Sequence, residues 1–313
     1  MTLKAGWIIK IFNNLKQYVM KKIFFVLTFF LIIGSSAKIL AQPKSSLLWK
    51  ISGNGIQPDS YILFTSPSCD ETIKLNNKIE KVLQSVKAIA LEDNKADKSN
   101  LNKFQQAMLA QSDTQKIRNI LSATEYQQFV KKAKDEGAPD QAIDQLNNLK
   151  ASIILKLLQA NSSPCEVKAP ERIEDVLKKY ASKNKMTYKE LFSIEDVIKE
   201  LDAHSKEYWN NNLMYSMNNS DAIKQSLQNR LVLYNDENLP ALKELYNTDK
   251  FFGLACNDNI NKKHIELLAA KIDALVKEQP SLIAVNIMNE AANGNSIIDL
   301  LKTKGYSLVA ITN

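Results

Sequence analysis

The sequence predicts an α/β (α+β) protein: a central mixed β-sheet drawn from N- and C-terminal βαβ-like units, with a long helical insert between them. Three features carry this. Residues 47–92 read as strand, turn, strand, helix, strand. Residues from about 101 to 250 are helical in pattern. Residues 282–311 return to strand, helix, strand. Alternation of this kind places helices against a largely parallel sheet.

In order, Leu47, Leu48, Trp49 and Ile51 form a first strand, stopped by Gly53-Asn54-Gly55, which favours a tight hairpin. Ser60–Thr65 is a second apolar run. Ile73, Leu75, Ile79, Val82, Leu83 and Val86 recur at helical spacing over residues 71–86, and Ala88–Leu91 is a third strand with Glu92 at its carboxyl end. Ligands of such sheets bind beyond the carboxyl ends of strands. Thr65–Cys69 and Glu92 are therefore the first place to look for chemistry. A polar linker, Asp93–Asn100, leads into the helices.

Within the insert, Ser122 and Glu125 make a capping box for a helix over Tyr126–Glu136. Gly137-Ala138-Pro139 breaks it, and Asp140 caps a helix whose apolar stripe runs Ala142, Leu146, Leu149, Ile153, Leu157. Ile173–Tyr180 is another helix and Lys185–Leu191 a short strand. Helices follow at Ile194–Met217, Asp221–Tyr234, Leu239–Tyr246 and Lys262–Lys277. Leu282–Ile287 is a strand, Ile297–Thr303 a helix and Tyr306–Ile311 the last strand.

The 313 residues suffice for one substantial domain. The formal charge of +7 belongs mainly to residues 1–41, which hold six lysines and no acid, so the rest is nearly neutral. Without a basic tract no nucleic-acid partner is expected. Met20-Lys21-Lys22, the apolar run Ile23–Ile33 and the small residues before Gln42 follow the order of a secretory leader, with cleavage expected after Ala41 or Ala37 and Met20 as the start codon. The expected organisation is a leader over 1–41 and one domain over 42–313. The expected location is periplasmic or extracellular, with membrane contact only if the leader is retained. An oxidising compartment favours a disulfide. Cys69 and Cys165 sit in Ser/Pro loops and are paired; Cys256, in GLACND, is left as a buried thiol.

The stretches SLLWKISGNG (Ser46–Gly55), Ala90-Leu91-Glu92, SPCE around Cys165, SIED (Ser193–Asp196) and IIDLLKTKGYSLVAI (Ile297–Ile311) together resemble the TraB/GumN family, which includes the TIKI-type metalloproteases. The resemblance supports the Cys69–Cys165 pairing. It implies a mixed sheet flanked by helices and a divalent-metal hydrolase site made of two Gly-x-x-His motifs, acidic residues and an Arg-Asn pair. Carried onto this chain, the first motif falls on Phe64-Thr65-Ser66-Pro67 and the second on Asn286-Ile287-Met288-Asn289. The Arg-Asn pair falls on Cys256-Asn257 and a second Glu on Phe192. Glu92, Thr65 and Asn257 stay in register; both motif histidines are missing.

The only two histidines, His204 and His264, match no family ligand position and read as solvated helix residues. Pro67 has no ligand atom, and Asn289 carries an amide where imidazole would stand. Glu92 reads equally as a residual site carboxylate or as a strand-end acid facing solvent; Thr65 reads as a strand residue. There is no Gly-rich phosphate loop or nucleophile elbow. The expectation is a catalytically inactive binding or structural protein with no cofactor, taking a protein, peptide or small-molecule ligand through weak candidates Thr65, Asn257 and Asn289. The alternative is a metal-dependent hydrolase with an altered site using Glu92.

Overall fold

Two adjacent residues with positive φ, Asn54 (49°) and Gly55 (80°), turn the chain between the first two strands. That backbone matches the twist of the hairpin they join. The strands are β1 (Leu48–Gly53) and β2 (Ile56–Thr65). The computed structural model describes residues 45–92, 98–167, 169–256, 258–291 and 296–312. The leader, most of the 93–100 linker and Asn257 lie outside them. Ser45–Asn313 forms one compact unit.

After β2 come α1 (Asn77–Ser85) and β3 (Ala88–Leu91). The helix is shorter than the 71–86 expected: Asn76 caps it, its side chain accepting from the Ile79 N–H. Ile73 and Leu75 reach the core from the preceding loop instead.

The helical stretch then runs α2 (Lys98–Ala107), α3 (Ile117–Ile120), α4 (Ala123–Asp135), α5 (Asp140–Leu146), α6 (Ala151–Ala160) and α7 (Ile173–Lys183). Next come β4 (Thr187–Glu190), α8 (Ile194–Ala203), α9 (Lys206–Asn218), α10 (Ser220–Asn235), α11 (Leu239–Thr248), α12 (Lys250–Cys256) and α13 (Asn259–Glu278). The Ser122–Glu125 capping box is present.

Two expected helices are each split. The 142–158 stripe breaks because Leu149 and Lys150 pair in extended form with Leu109 and Lys116. Asp140 also opens α5 rather than capping it, the cap being Pro139. The 194–217 run breaks because His204 is extended and Ser205 caps a new helix, accepting from the Tyr208 N–H. The chain closes with β5 (Ser281–Asn286), α14 (Met288–Ala291), α15 (Ile297–Thr303) and β6 (Tyr306–Ala310).

The sheet order is β4-β3-β5-β2-β1-β6. Only β1 runs against its neighbours; β2, β5, β3 and β4 are parallel. The central strands are apolar on both faces, as strands covered on both sides must be. Ile62, Phe64, Ala90, Ile283 and Val285 face a core completed by α11, α13 and α15. Leu63, Ile89, Leu91, Leu282 and Ala284 face α1 and α7. A third core, around Ile117, Phe129, Ile154 and Leu213, holds the helical stretch together. Cys69 and Cys165 are bonded, and Cys256 is buried.

Candidate functional site

The carboxyl ends of β2, β3 and β5 lie side by side and open into a cleft of about 290 Å³. β2 delivers Thr65, Ser66 and Pro67; β3 delivers Glu92; β5 delivers Asn286; the start of α7 adds Arg172 and Glu174.

Glu92 is fixed from several directions. Its own N–H donates to the Ala284 carbonyl, continuing the strand pairing one residue beyond β3. Its Oε2 accepts from the Asn286 backbone N–H and from the Asn289 side-chain amide, each at 2.8 Å. Its Oε1 accepts from His264 Nε2 at 3.0 Å. The other ring nitrogen, Nδ1, donates to Glu200 Oε2 at 2.6 Å. His264 thus lies between two carboxylates, with its ring stacked on Phe192 at 4.5 Å.

Burial works to lower the His264 pKa, but the hydrogen bonds to Glu200 and Glu92, with their charges, overcome it and raise it to about 9. At neutral pH the ring is an imidazolium donating from both nitrogens. The expectation that both histidines are solvated is therefore corrected. The His264 side chain is 11% exposed and that of His204 5%, and His204 Nδ1 meets Asp258 at 2.5 Å. A charged ring is buried only with partners to hold its charge.

Thr65 donates to Glu174 Oε1 at 2.8 Å, and Glu174 also faces Arg172 at 3.5 Å. Glu92, Thr65 and Asn289 therefore come to one place, with Thr65 and Glu92 lining the cleft and Asn289 bracing Glu92 from behind. The sequence reading missed His264, Glu200 and Glu174. A signal existed for His264: it stands one helical turn before Leu268 and two before Ile272, residues of the buried stripe of α13.

A divalent ion of the transition series takes three or four His, Cys or carboxylate donors. Among the described residues no three such groups are placed to hold one. Pro67 offers no donor, Asn289 directs its amide at Glu92, and His264 has neither nitrogen open. This donor set does not fit the ion that the family resemblance implies.

The sequence profile of the TraB/PrgY/gumN family matches residues 47–310, from β1 to the end of β6. The chain belongs to the TraB/PrgY/gumN family. No curated protein and no solved structure matches it. The residues that line the cleft at the carboxyl ends of β2, β3 and β5 all fall within the matched span.

Proposed function

We propose that this TraB-family chain is a catalytically inactive binding protein, exported from the cytoplasm, whose cleft beside Glu92 takes a small molecule or the end of a peptide. One observation carries the reading: the carboxylate of Glu92 is hydrogen-bonded to an imidazolium of the protein itself, which it shares with Glu200, and is tied by two further donors. A general base or metal ligand needs a free lone pair at the reacting centre. Here His264 is protonated at neutral pH and Glu92 is held in a network. The cleft, at about 290 Å³, is at the small end of ligand sites. Export is supported by the Cys69–Cys165 bond and by the leader-like residues 1–41. Among the described residues no helix is long and apolar enough to cross a membrane.

The test is calorimetric titration of residues 42–313 with Mn²⁺, Co²⁺ and Zn²⁺, alongside a peptide-hydrolysis assay. The expected result is neither stoichiometric binding nor cleavage. Tight one-to-one binding with metal-dependent peptidase activity would replace this reading with the altered-site hydrolase.

A further inference from the structure

The cleft at the carboxyl ends of β2, β3 and β5 holds charges of both signs within about 290 Å³: Glu92, Glu174 and Arg172. Two carboxylates against one guanidinium leave one negative charge in excess. The His264 imidazolium does not alter that balance, because Glu92 shares it with Glu200.

The two signs are not closed on each other. Arg172 meets Glu174 through Nε alone, at 3.5 Å, and its side chain is 42% exposed. Its terminal nitrogens have no partner among the described residues. A second cavity, also about 290 Å³, lies in the helical stretch beside Lys150, Asp202 and Trp209, and there the pairing is complete. Asp202 holds the buried Lys150 ammonium through both carboxylate oxygens, at 2.7 and 2.8 Å. A guanidinium presents its N–H groups as a planar fork that matches a carboxylate. Arg172 keeps the donors of that fork for a ligand. Glu174 accepts from the Thr65 hydroxyl at 2.8 Å, and a carboxylate has further acceptor sites.

Ser66 supplies an independent observation. It follows Thr65 on the same wall, is 8% exposed and lines the cleft. Its hydroxyl is buried and has no hydrogen-bond partner. A buried hydroxyl ordinarily has one. Beside it, Pro67 and Ala284 line the cleft without a polar side-chain atom and leave an apolar wall.

We propose that the cleft binds a free α-amino acid as its zwitterion. The ammonium sits at Glu174, within the field of Glu92, and the carboxylate sits at the Arg172 fork. The Ser66 hydroxyl is a further hydrogen-bond partner, and a short apolar side chain lies against Pro67 and Ala284. A ligand charged with one sign only would bring like charges together in the same small volume, which is unfavourable. This assignment rests on the reading of the cleft as a binding site and names what it takes.

The test is calorimetric titration of the full chain with glycine, L-alanine and L-leucine, and with N-acetyl-L-alanine and L-alaninamide as controls that each lack one charge. At least one of the three amino acids is expected to bind, and each control should bind about tenfold or more weaker than L-alanine. Glu174→Gln keeps an acceptor for Thr65 but removes the charge, and should weaken amino-acid binding about tenfold; Arg172→Gln should do the same. Ser66→Ala should weaken it several-fold with no loss of stability in urea, since the hydroxyl it removes has no partner in the protein. That variant decides the matter if circular dichroism shows either of the others to be unfolded. Absence of binding by all three amino acids at concentrations on the order of millimolar overturns the proposal. So does L-alaninamide or N-acetyl-L-alanine binding as tightly as L-alanine, or binding that none of the substitutions alters. If the amino acids fail and no metal-dependent peptidase activity is found, the ligand class alone falls; if that activity is found, the reading of the cleft as an inactive binding site falls with it.

Discussion

Replacing His264 tests the electrostatics of the Glu92 site directly. In the folded chain its pKa stands at about 9, against 6.5 for the free group. Each pH unit between those values is worth about 1.36 kcal/mol, so the imidazolium contributes about 3 kcal/mol. The direction follows from which state holds the proton. Below pH 6.5 both the folded and unfolded chains are protonated and the contribution is fully present. Between 6.5 and 9 the folded chain keeps a proton the unfolded chain has released, so stability falls as pH rises. Above about 9 the contribution is gone. Urea denaturation of the wild type and His264→Gln across this range measures it, and the difference between the two curves cancels other titrating groups. The wild type should lose about 3 kcal/mol that the variant does not. The His264 ring protons in NMR should titrate near pH 9. Parallel stability curves, or a ring midpoint near 6.5, would refute the argument that the two carboxylates hold the proton.

The Cys69–Cys165 bond closes a loop with a sequence separation of 96; reduction should lower unfolding free energy by about 3–5 kcal/mol on the chain-entropy account, read as a shift in urea midpoint with and without reductant. Burial pushes the Cys256 thiol up to about 12, with the charge of Asp258 adding to it; the folded protein should resist thiol reagents at pH 8 and react only once unfolded, and rapid labelling of native protein would contradict this. Ser122→Ala removes one half of a capping box and should cost about 1 kcal/mol in chemical denaturation. Leu213→Ala, at a side chain with no exposure in the third core, should cost about 2–5 kcal/mol, and a loss under 1 would mean that core can collapse around the gap.

The strands were legible because burial on both faces demands uninterrupted apolar runs, as in Leu282–Val285. The hairpin was legible because Asn54-Gly55 suits positive φ. Helix breaks were less so. The pairing of Leu149 and Lys150 with Leu109 and Lys116 joins segments distant in sequence, and it overrides a continuous apolar stripe. At the candidate site, the proximity of Glu92, Thr65 and Asn289 was legible because strand ends and family positions mark them. His264 was not, because its partner Glu92 is 172 residues away and no local spacing encodes that contact. A histidine among lysines on a helix reads as solvated until the sheet edge it packs against is known.

Helix α8 shows how the two cavities are held. Its last turns place Glu200 and Asp202 where a helix favours cations, an arrangement that costs about 0.3–1 kcal/mol for each acid. Each acid meets a cation from another element: Glu200 meets His264 on α13, and Asp202 meets Lys150 at the start of α6. His204, at the end of the same helix, meets Asp258, the residue that caps α13 by accepting from the Asn261 N–H. These three pairs fix α8 against α6 and α13 and orient the groups facing both cavities. The imidazolium is thus part of the scaffold that holds Glu92 at the cleft, and not of the cleft's lining. A metal ion introduced there would have to take over not only the charge of His264 but its bridge to Glu200, which a cation bound at Glu92 alone does not supply.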